Sequence, residues 1–220
     1  MSGSDRPARR ILLAGATGLV GRELLALLLA DPTVREVVAL VRRPLPTERR
    51  HARLREVIVD FEQLDRDPAP FAVDQVFCAL GTTIRIAGSQ EAFRRVDLDY
   101  PLRIATLARA AGARHFLLVS AVGADATSRV FYNRIKGELE EGVRALGFPA
   151  LTIARPSLLE GDRAEFRLVE VVVSKLSFLM PGRWKPVHVR QVARALVHSA
   201  SRDAAGEQVM ENVELRCFER

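Results

Sequence analysis

Gly15, Gly18 and Gly21 recur at every third position between the apolar run Ile11-Leu12-Leu13 and a leucine-rich segment from Glu23 to Ala30. Three consecutive apolar residues suit a short buried strand and the Leu-rich segment suits a helix, which places the glycines at a strand-turn-helix junction. Glycines at such a junction let the backbone bend tightly and come close to a pyrophosphate, which the free N–H groups and dipole of the helix N-terminus attract. The stretch Leu12 to Gly21 therefore reads as a nucleotide-binding turn, with Gly15, Thr17, Gly18, Leu19, Val20 and Gly21 as candidate contacts. The spacing is GxxGxxG and not GxGxxG, and a plain glycine-rich turn is the alternative.

Arg9-Arg10 ahead of an apolar run also has the outline of a secretory signal. Arg22 and Glu23 cut that run in its middle, and neither half is long enough to span a bilayer. Residues 1–10 are expected to be a polar, flexible leader and 11–220 a single domain, a size that buries a substantial core. Cys78 and Cys217 make no disulfide framework and fit a reducing compartment, read as the cytoplasm. The net charge of +6 invites a nucleic-acid partner, but the arginines are scattered and no interleaved aromatics offer a stacking platform. A small-molecule substrate is the expected partner, with no nucleic acid and no membrane, and a homo-oligomer is left open.

Further along, Val34 to Val41 is almost continuously apolar, as in a strand covered on both faces. Arg42-Arg43 end it. In dinucleotide folds an acid near this point binds the ribose hydroxyls of NAD, whereas arginine accommodates the 2′-phosphate of NADP. Two arginines and no acid favour NADP over NAD; two solvent-facing arginines are the alternative. Leu54 to Val59 reads as a third strand, ending at Asp60-Phe61, where a carboxylate would meet an adenine amino group or cap a helix. Ala72 to Leu80 reads as a fourth, running into the small-residue loop Gly81-Thr82-Thr83. Ser89 to Gly112 carries one long helical pattern, with a kink or a break expected near Tyr100 because of Pro101. His115 to Val119 is a fifth strand and Leu151 to Ala154 a sixth. Strands alternating with helices imply a doubly wound parallel α/β sheet of Rossmann type with helices on both faces, whose ligands sit at the carboxyl ends of the strands. Gly15, Arg42, Asp60, Leu80, Gly81, Thr82 and Ser120 all fall on that rim.

A second signal stands near the start of the helical pattern from Arg129 to Leu146, where Tyr132 and Lys136 are four residues apart. Residues so spaced share a helix face. A phenol of pKa near 10 becomes a useful acid or base when a nearby cation favours its ionised form, and Lys136 can supply that charge. With two tyrosines and three lysines in 220 residues, an accidental pair at this spacing is expected only about 0.03 times. Ser120, twelve residues before Tyr132, would hydrogen-bond a substrate carbonyl; the alternative is an ordinary loop serine.

Together, Gly-Ala-Thr-Gly-Leu-Val-Gly, Arg42-Arg43, Val59-Asp60-Phe61-Glu62, Ala79 to Thr83, Val96 to Tyr100, Ser120 with Gly123-Ala124-Asp125, and Tyr132 through Glu138 resemble the short-chain dehydrogenase/reductases. The resemblance is to their atypical, single-domain branch, the HIV Tat-interacting oxidoreductase group. It implies an NADP-dependent oxidoreductase with Tyr132 as acid/base, Lys136 on the nicotinamide ribose and Ser120 orienting a carbonyl. It also implies that the loop from Arg155 to Gly161, with Pro156 and Leu158, covers the nicotinamide; a Pro-started turn is the plainer reading. Where many of these enzymes carry a relay Asn, this chain has Asp97 and Asp99, and Ala121 stands where a second serine is common. Some relatives act as dinucleotide-binding regulators, and an epimerase or dehydratase would use the same hydride chemistry transiently.

In the last third, Phe166 to Phe178 is apolar enough for a helix over the cleft or an oligomer contact, which puts substrate-covering elements in 155–220. Pro181 to Pro186 reads as a loop, Val189 to Ala200 as a helix and Gln208 to Met210 as a late strand. His188 reads as a cap or surface residue, and no cluster has metal-ligand spacing.

Overall fold

A computed structural model describes residues 8–161 and 182–219. Its strands are β1 (Arg9–Ala14), β2 (Val34–Val41), β3 (Leu54–Ile58), β4 (Gln75–Cys78), β5 (His115–Val119), β6 (Ala150–Arg155), β7 (Leu159–Glu160), β8 (Val187–His188) and β9 (Gly206–Glu211). Seven of them form one parallel sheet in the order β3-β2-β1-β4-β5-β6-β9, and β7 pairs with β8 separately. The chain order reverses between β1 and β4, the switch point outside which a doubly wound sheet binds its ligands.

Alternation along β1 explains why both faces are covered. Ile11 and Leu13 point into one core with Leu24 and Leu28 of α1 (Leu19–Ala30). Leu12 and Ala14 point into the other, which holds Phe93 and also Ile104 and Ala108. A strand buried on both faces needs no polar alternation, hence the continuous apolar runs at β1, β2 and β5.

Between β4 and β5 lie α2 (Ile84–Ala87), α3 (Gln90–Arg94), a π-helical turn over Arg95–Asp99, and α4 (Tyr100–Ala110). The helical pattern is broken at Gly88-Ser89, but from Gln90 to Ala110 the backbone stays helical and is widened to a π turn over Arg95–Asp99 just before Pro101, so the helix is deformed near Tyr100 and not broken there. Helix α5 spans Phe131–Ala145, α6 Val189–Arg202 and α7 Asn212–Leu215. Several boundaries differ from the pattern, among them β1, which already begins at Arg9 inside the expected leader because Arg9 is held by Asp31 and Gln75. Helix α1 starts at Leu19, because Gly21 lies in its first turn against the glycine loop. Strand β4 is shorter than Ala72 to Leu80, because Ala69–Phe71 forms a 3-10 turn around Pro70. Gly182–Trp184 is a 3-10 turn inside the expected loop. The helix expected over Phe166 to Phe178 lies outside the described residues.

At the amino end of the sheet, away from the glycine loop, a buried polar network replaces apolar packing. His115 Nδ1 lies 3.2 Å from Asp203, its Nε2 lies 2.8 Å from Thr152 Oγ1, and that hydroxyl meets Ser199. Burial pulls the His115 pKa below its ordinary value, against the opposing pull of Asp203. A histidine held neutral by the fold contributes stability that is present above its unfolded pKa of about 6.5 and is lost as pH falls through the lower folded value. Thermal unfolding should therefore show Tm falling as pH drops below about 6.5. In His115→Gln that part of the slope should be absent; an unchanged slope would remove His115 as its source.

Candidate active site

At two of its three glycines the turn leaves no room for a side chain. Gly15 has φ +93°, and a Cβ there would lie 2.5 Å from the carbonyl oxygen of Ala79 at the end of β4. A Cβ on Gly21 would lie 1.9 Å from the Gly15 carbonyl oxygen. The turn is therefore pressed against both the next strand and its own helix, and Gly18 caps α1 with extended backbone. Helix α1 thus presents its first-turn N–H groups beside a backbone surface bare of side chains, an arrangement that fits a dinucleotide pyrophosphate. Thr17 is exposed, Gly18 and Leu19 are half-buried and Val20 is buried at this helix start.

One strand away, Arg42 and Arg43 are both exposed immediately after β2. Asp60 caps the 3-10 turn Phe61–Arg66, accepting from the Glu62 N–H at 3.0 Å, and also accepts from Gln63. The capping reading of Asp60 is the one the structure shows. Phe61 packs on Tyr100 with ring centroids 5.5 Å apart, and the Tyr100 hydroxyl donates to Glu62. That pushes the Tyr100 phenol up to about 12, burial being the largest cause.

The glycine turn connects through β4 to the Tyr-Lys pair. Beyond Ala79 and half-buried Leu80, the Cα of Gly81 faces a buried ion pair: a Cβ there would lie 3.4 Å from Asp97 Oδ1 and 3.9 Å from Lys136 Nζ. Lys136 Nζ is 2.7 Å from Asp97 Oδ1, and Asp97 Oδ2 accepts the Thr82 N–H at 2.8 Å. Both side chains are almost fully buried. Tyr132, one turn before Lys136 on α5, packs on the Phe93 ring at 5.7 Å and keeps 36% of its surface exposed. Burial works to lower the Lys136 pKa, but Asp97 and then Tyr132 outweigh it, and the ammonium is held charged. Burial pushes the Tyr132 phenol up; Lys136 pulls it down and Asp97 pushes it up again, and the net direction is upward. Lys136 therefore stands beside Tyr132 as a charged group whose effect Asp97 opposes.

Gly137 makes the seat of this helix possible. A Cβ there would lie 2.0 Å from the Ala126 nitrogen, so α5 rests directly on the Asp125-Ala126 backbone.

Ser120 differs from expectation. Its hydroxyl, 4% exposed, donates to Glu140 Oε1 at 2.6 Å, and Glu140 also receives Arg155 at 2.6 Å and Arg144 at 3.3 Å. The buried Glu140 carboxylate needs donors, and Ser120 satisfies one of its lone pairs. The serine hydroxyl is thus committed to a structural cluster that single-residue reasoning missed, since Glu140 and Arg155 carry no motif. Also missed was Asn212, fully buried, which accepts the Ser157 N–H at 3.0 Å and donates to the Lys185 carbonyl at 2.8 Å. It ties the loop after β6 to the segment before β8. In that loop Pro156 is buried, its carbonyl accepting from Val122 N–H, and Leu158 is exposed. His188 is the N-cap of α6 in a reciprocal capping box with Gln191, as its cap reading requires.

Among the described residues no group of His, Cys, Asp and Glu could hold a metal ion, and no helix is long and apolar enough to cross a membrane. Cys78 is buried and its thiol is pushed up to about 11, mainly by burial; Cys217 is exposed, and neither is in a disulfide.

A family model described as NAD(P)H-binding matches residues 15–203. The chain belongs to this NAD(P)H-binding family. Protein HTATIP2 of Rattus norvegicus is 37% identical over 210 residues, which cover 93% of this chain and 86% of that protein. Protein fmp52, mitochondrial, of Emericella nidulans is 38% identical over 167 residues, covering 74% and 72%. Among solved structures, MoeE5 in complex with UDP-glucose and NAD superposes with a TM-score of 0.71 at 22% identity, covering 91% of this chain and 75% of that one. A UDP-glucose 4-epimerase from Thermotoga maritima gives 0.71 at 15%, covering 92% and 76%. The resemblance to short-chain dehydrogenase/reductases is thus borne out for family and fold.

The cytoplasmic expectation is corrected. Fungal relatives from Emericella nidulans and Eremothecium gossypii are named mitochondrial. Two unpaired cysteines report only a compartment that keeps thiols reduced, whereas cellular addresses are read by receptors from separate signals.

Proposed function

We propose that the protein is an NADP-dependent oxidoreductase that reduces a carbonyl or oxidises an alcohol, with Tyr132 as its acid/base. The observation that carries this reading is the continuous strip from Gly15 through Ala79 and Gly81 to Lys136, with half-open Tyr132 one helical turn away. A regulator that only holds a dinucleotide needs the glycine turn but not an accessible phenol beside a buried ammonium. The turn at Gly15, Gly18 and Gly21 would hold the pyrophosphate, with Thr17, Leu19 and Val20 around it. Leu80, Gly81 and Thr82 would let the cofactor pass, and Phe61 would flank the adenine. Lys136 would face the nicotinamide ribose, and Pro156 and Leu158 would close over the nicotinamide side. When bound, the reduced nicotinamide supplies a hydride to the carbonyl carbon. Tyr132 gives its O–H proton to the carbonyl oxygen in the same conversion, and solvent returns that proton to the phenolate.

Arg42 and Arg43 carry the preference for NADP. Exposed guanidinium groups at the end of β2, with no acid next to them in sequence, suit a phosphate dianion on the ribose. Fluorescence titration should give tighter binding of NADPH than of NADH, and Arg42→Ala with Arg43→Ala should weaken NADPH by about tenfold or more while leaving NADH unchanged. Equal loss for both cofactors would take the arginines out of phosphate recognition, and no binding of either would bring forward a scaffold role.

A further inference from the structure

We propose that Asp97 is a positioning residue that seats Lys136 and cancels its charge beside Tyr132, so that the site delivers a proton to a carbonyl more readily than it removes one from an alcohol. The directional part rests on the oxidoreductase reading above; the seating and the charge balance do not.

One carboxylate joins three elements. Oδ1 holds Lys136 of α5 at 2.7 Å, Oδ2 holds the Thr82 N–H of the loop after β4 at 2.8 Å, and the backbone of Asp97 lies in the π turn Arg95–Asp99. Such π turns inside α-helical runs concentrate at functional sites. Here the turn sets Asp97 in the buried space beside Gly81, where an added Cβ would stand 3.4 Å from Oδ1, at ordinary van der Waals contact. The charged and titratable groups acting there are Lys136 on the same helix as Tyr132, Asp97 from the π turn, and the Cys78 thiol behind them on β4. A lone buried ammonium would favour the phenolate, the form that accepts a proton from an alcohol. With Asp97 at 2.7 Å the pair is close to neutral, and Tyr132 keeps its proton for the carbonyl oxygen. Tyr132 would then give its proton to the carbonyl oxygen while the carbonyl carbon takes the hydride that a bound reduced nicotinamide would supply, the carbonyl becoming an alcohol and the nicotinamide its oxidised form.

The experiment is an ultraviolet titration of tyrosinate in the protein without cofactor, where Tyr100 and Tyr132 are the only two tyrosines and Tyr132→Phe assigns the signals. Asp97→Asn still accepts from Thr82 but no longer neutralises Lys136, so the Tyr132 midpoint should fall by about one pH unit or more. A folded Asp97→Asn protein with an unmoved midpoint would overturn the charge balance. Asp97→Asn combined with Lys136→Met removes both charges and covers the case in which the single variant fails to fold. Its midpoint should stay within about half a unit of the parent, and a rise of about one unit or more would show that Lys136 was never neutralised. In turnover with substrate and cofactor saturating, Asp97→Asn should raise kcat for alcohol oxidation relative to kcat for carbonyl reduction at pH 8 by at least about tenfold, while the kcat/KM ratio stays fixed by the reaction's equilibrium. A shifted titration in a protein that turns over nothing would overturn the oxidoreductase reading and leave Asp97 as the charge-setting residue; an unchanged kcat ratio in an active enzyme would overturn the directional role.

Discussion

Replacing Tyr132 with Phe is expected to lower kcat for carbonyl reduction by about 10²–10⁴-fold, the usual contribution of a positioned proton donor. The substitution removes one oxygen. The ring keeps its contact with Phe93, and a residue that is 36% exposed on α5 leaves no buried cavity behind. Stability should thus stay within about 0.5 kcal/mol of the parent. NADPH binding should also survive, because the pyrophosphate turn and the Lys136–Asp97 pair are untouched. The measurement is steady-state kinetics over a panel of aldehydes and ketones beside a fluorescence titration with NADPH. A loss of kcat with intact binding assigns the proton step to the phenol. Full turnover in Tyr132→Phe would falsify that role and move the proton to solvent.

Gly21→Ala should produce the opposite pattern, losing structure and cofactor together. The added methyl would lie 1.9 Å from the Gly15 carbonyl oxygen and 3.1 Å from the Ala16 Cα, both backbone positions that cannot rotate away. Either α1 moves off the sheet or the turn opens. Overpacking of this kind costs about 1–3 kcal/mol, and for a chain of this size it lowers Tm by about 2–12 °C. NADPH affinity should fall by about a hundredfold, since the first-turn N–H groups would no longer converge on one pyrophosphate. Gly147→Ala separates backbone strain from collision. Its φ of +63° is also positive, but no atom lies within 4 Å of the added methyl, so it should cost about 1–2 kcal/mol and leave binding alone. Equal NADPH affinity in Gly21→Ala and the parent would mean the turn is not the phosphate cradle.

Much of the fold was legible because its strands are buried on both faces. Continuous apolar runs such as Val37 to Val41 and Phe116 to Val119 have few other ways to be stable. Glycine periodicity likewise reported a steric requirement, which the 2.5 Å approach of Gly15 to Ala79 makes explicit. The small β7–β8 pair was not legible, since two residues carry no period. A deformation of the long helix near Tyr100 was legible from Pro101, but its π geometry was not. A π turn adds one residue to the loop of each hydrogen bond and leaves no compositional mark.

Within the candidate site, the sequence by itself determined which chemistry-bearing groups are available: a glycine turn after the first strand, two arginines after the second, and a phenol and an ammonium on one face of α5. Those follow from local periodicity, which needs only neighbours in the chain. Tertiary structure alone decided how those groups are employed. It sends the Ser120 hydroxyl to Glu140 and brings Asp97 across from another helix to within 2.7 Å of Lys136. Each of these depends on a buried charge finding a partner. Such a partner is chosen by proximity in the packed chain: 39 residues separate Asp97 from Lys136 in sequence, and no local pattern encodes their meeting.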